Sequence, residues 1–563
     1  MKREVKGFVV LSMCITTLLA GCSAGTKGSD GTTKQSVAPS PSGVAATASP
    51  KLAGDLISDK LMTIQTYFVN NSSFIDYSDK NRALQNFEKK TNVHLDLKFG
   101  DPKVMLASGD YPEMFFNANL TNQDIIDYSS QGILLPLNDL IDKHAPNIKK
   151  AVKDYPHLLE DLTAPDGKIY GISMPNSSYY GHAPTMAYIN TQWLTDAGLK
   201  MPKTTAEFEA ALKAFKARGT GVQPFTGYKD NPLQYFLMNP FILADDKNSF
   251  VYVDGNKKLQ MAAIQPEWKA GLQWANKLYK DGLIDPGAFT QTGDQMRLLF
   301  KAGNELKGGT YTAPHLQVPF TANDTELNKA FDVLPPLAGP SGKGYTNWVD
   351  NERVSGAEWV ITKKVKDPVA AIKYLDFWIN PDNFLWNWIG DEGVRYVPAK
   401  AGDKNMYGEQ AKILDMRFVP GFVDPNKGDK LDAGRLVQKP TTPWINFQRY
   451  NVVYPDDIYG PHKWTYDFYR LTIMAKKYEP FKSNANLEKN IAQLWTTADQ
   501  TTQIQQSVLA ITNYVNQNMI RFITGDLNID SGWDTYVQGL KNLKLDSYLK
   551  LLQELYDKQV FKK

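Results

Sequence analysis

Apolar residues recur along the chain at two different periods, which predict strands and helices in alternation. Leu61 to Val69 predicts a strand, and Asp79 to Lys90 carries apolar residues at helical spacing. In the segment that follows, every second residue is apolar, as in a half-buried strand. These alternating positions are Val93, Leu95, Leu97 and Phe99. The pattern therefore predicts a β-α-β unit at the start of the folded body.

Three later segments combine a helix start signal with an apolar face. A capping box spans Thr204 to Glu207, Pro266 stands at a first helical position, and Asp367 precedes Pro368 in the same way. The faces predicted to point inward are Phe208, Ala211, Leu212 and Phe215, then Leu272, Ala275 and Tyr279, then Ala371, Leu375 and Trp378. With a largely helical C-terminal region, this alternation predicts an α/β architecture of two lobes.

The first 51 residues are predicted to be an export signal and a tether. A positively charged start precedes the apolar run Gly7 to Ala20, which is shorter than the roughly twenty residues of a membrane-spanning helix. Residues 1–21 are therefore predicted to be a signal peptide. The run ends in Leu19-Ala20-Gly21-Cys22, which resembles the lipobox of bacterial lipoproteins and implies acylation of Cys22, for example by palmitate. Residues 22–51, rich in small and polar residues, predict a flexible linker to the outer face of the cell membrane.

Composition narrows the class of protein. The 563 residues are 42% hydrophobic and carry a formal charge of only +3, so the chain is globular, large enough for two lobes, and without the basic surface of a nucleic-acid-binding protein. Of the two cysteines, Cys14 lies in the predicted signal peptide and Cys22 at the predicted acylation site. We therefore expect no disulfide, zinc thiolate or cysteine nucleophile.

Several short motifs resemble the extracellular solute-binding proteins of ABC importers, in particular the large lipoprotein branch associated with oligosaccharide uptake. They follow one another in the order found in that family and cover nearly the whole mature chain. The matching segments are 107–113 (ASGDYPE), 166–172 (DGKIYGI) followed by Pro175, 188–202, 278–286 (LYKDGLIDP), and 522–526 (FITGD) followed by Trp533, Asp534 and Tyr536.

The resemblance implies a two-lobe, periplasmic-binding-protein-like α/β fold with a ligand cleft between the lobes and crossover hinge strands. It predicts the first part of lobe 1 at 52–185, the first part of lobe 2 at 186–345, and mainly helical segments shared by both lobes at 346–563. It also implies an oligosaccharide ligand, ABC permease subunits as partners, a membrane contact through the lipid, no nucleic-acid partner, no cofactor, no catalysis and a monomeric state.

A sugar presents an apolar C–H face and a rim of hydroxyls, so its site needs flat aromatic rings and short polar side chains. Such residues cluster near the predicted crossover (176–182), in a Gly-rich loop with Tyr345, Asn347 and Asp350, after an apolar strand, and in an aromatic and charged segment. The candidate binding residues are Tyr67, Asn117, Asn119, Tyr179, Tyr180, His182, Trp348, Trp386, Trp388, Glu392 and Arg395. Arg353, Arg395 and Lys229 are either partners for an acidic sugar or ordinary surface charges.

The sequence matches known metal-binding and catalytic motifs poorly. No two of the six histidines stand at i, i+4, so no zinc site is predicted. Asp526, Asn528 and Asp530 resemble the start of a calcium loop, but Ser531 and Val537 replace the glycine and bidentate glutamate that such a loop needs. We therefore predict a turn and a helix N-cap there.

Two other functions remain open from sequence alone. A surface glycoside hydrolase would need a carboxylate pair, for which Asp391 and Glu392 are candidates, yet neighbouring residues in an extended segment point apart. A peptide or signal receptor could use the same fold, because fold does not fix function.

Overall fold

The structure is a computed structural model. It describes residues 56–68, 77–175, 182–183, 185–302, 305–314, 316, 318–320, 327, 329–348, 353–380, 383, 390, 392–405, 409–416, 419, 421–423, 425, 475–482 and 494–560. The predicted signal peptide, Cys22 and the 22–51 linker lie outside the described residues.

The chain begins with a β-α-β unit, as the hydrophobic pattern predicts, and continues through short helices. The elements are β1 (Met62–Phe68), α1 (Arg82–Thr91), β2 (Val93–Lys98), α2 (Pro102–Ser108), β3 (Met114–Phe116), α3 (Asn122–Ser130), α4 (Asn138–His144), α5 (Pro146–Asp154), α6 (Leu158–Leu162) and β4 (Gly171–Ile172). The predicted start of α1 was three residues early, because the Asn81 side chain accepts bonds from the amides of Ala83 and Leu84 and so caps the helix there.

The middle of the chain forms a second group of strands and helices. These are β5 (Met186–Asn190), α7 (Thr191–Asp196), α8 (Thr205–Lys216), α9 (Leu233–Met238), β6 (Val251–Val253), β7 (Leu259–Met261), α10 (Pro266–Lys280), α11 (Gly293–Phe300), β8 (Lys301–Ala302), β9 (Glu305–Leu306), β10 (Thr310–Ala313) and β11 (Phe331–Leu334). Short 3-10 turns occupy Asp246–Asn248, Ala262–Ile264 and Pro286–Phe289.

The last part of the described chain is mainly helical. It contains β12 (Trp359–Ile361), α12 (Pro368–Ile379), β13 (Tyr396–Pro398), β14 (Ile413–Asp415), a 3-10 turn at Glu479–Phe481, α13 (Ala498–Thr524), α14 (Ile529–Asn542) and α15 (Leu545–Val560). Asn528 caps α14, since its Oδ1 accepts from the amides of Asp530 and Ser531, each at 3.0 Å. The N-cap predicted for this segment is confirmed.

Two sheets organise these elements into two lobes. The first lobe contains the sheet β2-β1-β3-β12-β4, in which β1 pairs in parallel with β2 and β3, and β12 runs antiparallel to β3 and β4. The second lobe contains the sheet β10-β5-β11, with β5 antiparallel to both neighbours. In the first sheet, β1, β2 and β3 end at one carboxyl edge. In the second sheet, β10 and β11 both run antiparallel to β5, so they end at the same edge, where β5 begins.

Each lobe has its own apolar core. In β1, Ile64 and Phe68 face one cluster of the first lobe and Tyr67 faces another, because successive strand residues point to opposite faces of a sheet. In the second lobe, one cluster joins α7 to α10 with α13 to α15. The inward faces predicted for α8 and α12 are buried, whereas Tyr279 of α10 is only half-buried.

The chain crosses between the lobes more than once. It leaves the first sheet at Pro175 and enters β5 of the second at Met186, and it passes from Trp348 in the second core to Val354 in the first. The segment before α13 also contacts the first lobe, because Asn122 Nδ2 of α3 donates to the Leu494 carbonyl at 3.5 Å and Thr501 Oγ1 donates to Gln123 Oε1 at 3.1 Å. Among the described residues, no helix has both the length and the apolarity to cross a bilayer.

Candidate functional site

The carboxyl edges of the two sheets lie close to one another because the crossovers are short. Five positions separate Trp348 from Arg353, and a chain of that length spans at most about 18 Å when fully extended. The other crossover, from Pro175 to Thr185, also leaves one carboxyl edge and arrives at the other. Open α/β sheets bind ligands beyond the carboxyl ends of their strands, so these two edges are the candidate site.

A pocket of about 310 Å³ lies at the carboxyl edge of the second sheet. Its floor is made by Thr185 before β5, Pro314 after β10 and Pro336 after β11, and the segment ending at Asn231 joins it by running parallel to β10. The remaining wall includes Asp230, Tyr235, Asp245, Asp246, Lys247, Tyr345, Thr346, Asn347 and Tyr478. We call this cavity the second-lobe pocket.

Tyr478 fixes the edge of the second-lobe pocket to the sheet. Its hydroxyl accepts from the Ala187 amide of β5 at 2.8 Å and donates to the Leu334 carbonyl of β11 at 2.8 Å. Burial raises the pKa of Tyr478 well above its usual range, so the hydroxyl stays protonated and can hold both bonds at once. The amino end of β5 and the carboxyl end of β11 are thereby held in fixed positions beneath the pocket.

Two side-chain oxygens in the second-lobe pocket are buried without a hydrogen-bond partner among the described residues. They are Oδ1 of Asn231 and Oδ1 of Asn347. Asn231 is only 7% exposed, and its Nδ2 is already used, donating to Thr185 Oγ1 at 3.1 Å. Since buried polar atoms in folded proteins are normally paired, these two acceptors point to a ligand that brings hydrogen-bond donors.

The carboxyl edge of the first sheet presents the opposite kind of group. Asn117, directly after β3, is 5% exposed and has a buried Nδ2 without a partner among the described residues. Asn117 and Asn119 both have positive φ, at 54° and 49°, and Asn119 Nδ2 donates to the Asn117 carbonyl at 2.9 Å. Asparagine tolerates this left-handed backbone better than most residues, and the conformation holds the side-chain amide of Asn117 at the edge of the sheet.

The structure brings His182 and Trp348 together. Their rings stack at a centroid distance of 5.2 Å and an angle of 2°, and the Lys482 ammonium lies 6.0 Å from the Trp348 ring. Trp348 is 9% exposed and belongs to the core of the second lobe, while its neighbour Asn347 lines the second-lobe pocket. His182 and Trp348 therefore form a wall next to the pocket, with one face of the indole covered by the imidazole.

The other predicted binding residues are found in different settings. Tyr67 is buried and packs on Phe115 at 5.3 Å between ring centroids. Glu392 is exposed and pairs through its backbone with Tyr396, whereas Arg395 is buried against Gly390, where an added Cβ would come 2.7 Å from Arg395 Cδ. Tyr179, Tyr180, Trp386 and Trp388 lie outside the described residues. For these positions ligand contact stays a prediction.

Sequence reasoning missed Asp230 and Asn231. The signal that could have found them is the polar turn Tyr228-Lys229-Asp230-Asn231-Pro232, which follows an apolar strand-like segment in the way that Asn117 follows β3. Tyr345 and Asn347, in contrast, were in a predicted cluster, and both line the pocket. Among the described residues no group of three or more His, Cys, Asp or Glu is placed to hold a metal ion.

A larger groove of about 1300 Å³ lies elsewhere, between α3, α6 and the C-terminal helices. Trp495 in its wall packs on a core cluster of the first lobe, while its backbone N–H and C=O pair with the side-chain amide of Gln559 of α15 at 2.9 and 2.8 Å. None of the predicted binding residues lines this groove. None of the candidate binding residues that the structure describes lines the second-lobe pocket either, but Tyr345 and Asn347 of a predicted cluster do. Because open α/β sheets also bind ligands beyond the carboxyl ends of their strands, we take the sheet edges, rather than the larger cavity, as the candidate site.

Comparisons with known proteins identify the family of the chain. The profile of the bacterial extracellular solute-binding protein family matches residues 71–383. The fructooligosaccharide ABC transporter substrate-binding protein FusA of Streptococcus pneumoniae is 28% identical over 521 residues, which cover 87% of this chain and 89% of that protein. The polygalacturonan/rhamnogalacturonan-binding protein YtcQ of Bacillus subtilis is 24% identical over 356 residues, which cover 60% of this chain and 67% of that protein.

Solved structures show the same fold. The structure of Streptococcus pneumoniae FusA in complex with kestose aligns with a TM-score of 0.64 at 24% identity, covering 89% of this chain and 100% of that one. A solute-binding protein from Bifidobacterium longum infantis, described as binding HMO and associated with an ABC transporter, aligns with a TM-score of 0.70 at 16% identity, covering 90% and 100%. The predicted periplasmic-binding-protein-like α/β fold is confirmed.

Proposed function

Because this chain belongs to the bacterial extracellular solute-binding protein family, we propose that it captures an oligosaccharide between its two lobes and delivers it, unchanged, to the permease subunits of an ABC transporter. Acylation of Cys22 would hold the protein on the outer face of the cell membrane, and the linker would let the folded body reach the permease. The similarity to the fructooligosaccharide-binding FusA over most of both chains supports a sugar ligand.

The observation that carries this proposal is the pair of complementary sheet edges. The first edge offers an unpaired amide donor at Asn117, and the second-lobe pocket offers unpaired acceptors at Asn231 and Asn347. A hydroxyl group donates and accepts hydrogen bonds, so a chain of sugar hydroxyls satisfies both edges at once. A cavity of about 310 Å³ is at the small end of ligand sites and therefore suits one end of an oligosaccharide, with the remainder in the cleft.

Thermal unfolding of the purified full-length protein against a panel of oligosaccharides tests the proposal. A ligand that binds only the native state stabilises it by about 2.7 kcal/mol at a hundredfold excess over Kd. We expect such a shift with one class of glycan, and chromatography of the same mixtures should return the glycan intact. Release of shorter sugars would instead favour a glycoside hydrolase, and a shift with peptides alone would favour a peptide receptor.

A further inference from the structure

The side chains that line the second-lobe pocket include many hydrogen-bond acceptors and few cationic donors. Its described lining residues include three acidic residues, Asp230, Asp245 and Asp246, and one basic residue, Lys247. To these are added the unpaired oxygens of Asn231 and Asn347. The polar lining is therefore richer in hydrogen-bond acceptors than in cationic groups, and its acidic residues outnumber its basic one.

Two of these carboxylates, those of Asp245 and Asp246, are held in place by hydrogen bonds within the protein. Asp245 accepts from Asn248 Nδ2 at 2.7 Å and from the Lys247 amide at 3.2 Å, and the Tyr235 hydroxyl donates to Asp246 at 3.2 Å. Burial, reinforced by the neighbouring Asp246, raises the pKa of Asp245 above its usual range. A further negative charge brought by a ligand would meet the same unfavourable surroundings.

The cations that could have received an acidic sugar are placed elsewhere. Arg353 is bound to Asp161 through Nη2 at 2.6 Å and through Nε at 2.9 Å, with both side chains buried. Arg395 is buried against Gly390, and Lys229 is exposed outside the pocket lining. Lys482 lies at the adjoining Trp348 ring and not among the pocket residues.

From this arrangement we propose that the second-lobe pocket takes an uncharged, hydroxyl-rich unit of the oligosaccharide and excludes a unit that carries a carboxylate. The inference rests on the proposed function and adds the charge of the ligand to it. Hydroxyl groups supply the donors that Asn231, Asn347 and the carboxylates need, whereas an ionised carboxylate supplies none and is repelled. Asn231 is the specificity-determining residue of the pocket because its oxygen is buried and unpaired.

The test measures binding calorimetrically with neutral fructo-, gluco- and galacto-oligosaccharides and with oligogalacturonides of the same length. We expect binding of a neutral glycan and none of the uronates. Asn231→Leu should lower the affinity for the neutral ligand by about tenfold or more, because a ligand hydroxyl would then face an apolar side chain. Asn231→Asp keeps an acceptor at the same place and should bind the neutral ligand within a few-fold of the wild type.

Asn256→Leu, in the exposed turn between β6 and β7, is the matched control and should leave affinity unchanged. The inference is overturned if a uronate binds as well as the neutral glycan, if Asn231→Leu binds like the wild type, or if Asn231→Asp loses as much affinity as Asn231→Leu. Thermal unfolding of each variant shows whether a loss of affinity reflects unfolding. Asn231→Asp tests the site with a side chain of nearly the same size. If no glycan of either charge binds, the proposed function itself fails.

Discussion

Asp161 and Arg353 show how a single pair of residues secures the return of the chain to the first lobe. Arg353 is the first described residue after the crossover from the second lobe, and its guanidinium makes two hydrogen bonds to the Asp161 carboxylate on α6. The same carboxylate also accepts from the Val354 amide at 3.0 Å. With both side chains at 5% exposure or less, the pair is protected from solvent and anchors the strand that leads to β12.

Replacement of Asp161 by Asn is expected to lower the free energy of unfolding by about 3–5 kcal/mol, because it removes the buried counter-ion of Arg353 and leaves the more exposed Glu160 carboxylate, 3.6 Å from Nη2, in its place. Denaturant unfolding measures this change. Glu305→Gln, which removes one partner of the more exposed pair with Lys307, is the control and should cost no more than about 1 kcal/mol. Equal losses in the two variants would show that burial does not set the contribution of the Arg353 pair.

At the scale of elements, the sequence signals of helix α8 agree with its tertiary packing. Thr204 Oγ1 accepts from the Glu207 amide at 3.2 Å, and Glu207 Oε2 accepts from the Thr204 amide at 3.1 Å, as the capping box predicts. The face of Phe208, Ala211, Leu212 and Phe215 is fully buried in the second core. The cap sets where the helix begins, and the spacing of apolar residues sets which face turns inward.

Thr204→Ala should destabilise the protein by about 1 kcal/mol, since the amides of the first turn lose their side-chain acceptor. Thr204→Ser retains the hydroxyl and is expected to remain near the wild type. Urea unfolding of the two variants makes the comparison. If serine and alanine were equally destabilising, the methyl group of Thr204 rather than its hydroxyl would be the stabilising part.

At the scale of the whole molecule, the proposed ligand recognition uses groups that the chain places in different lobes. The Asn117 amide belongs to the first sheet edge and the Asn231 oxygen to the second, so a ligand that pairs with both is bound best when the two edges approach. Only this difference in binding between open and closed arrangements can shift the equilibrium between them.

Small-angle X-ray scattering should therefore show a smaller radius of gyration when a saturating glycan is added. Asn231→Leu, at the glycan concentration that saturates the wild type, should keep a radius closer to that of the unliganded protein because less of the variant is bound. A radius that does not change at demonstrated saturation would contradict closure and indicate that the ligand is held without movement of the lobes.

Sequence alone determined the local elements, the α/β class and the family. Apolar periodicity and caps located β1, α8, α10 and α12 because these signals act within a few residues of the chain. It also identified the loop containing Asn347. Tertiary structure alone decided which polar atoms are left unpaired. Asn231 and Asn117 are more than a hundred positions apart in sequence, and only the packing of the two sheets buries them, one at each sheet edge. Likewise, only the tertiary structure pairs Arg353 with Asp161, because an ion pair between residues so distant in sequence depends on which elements pack against each other.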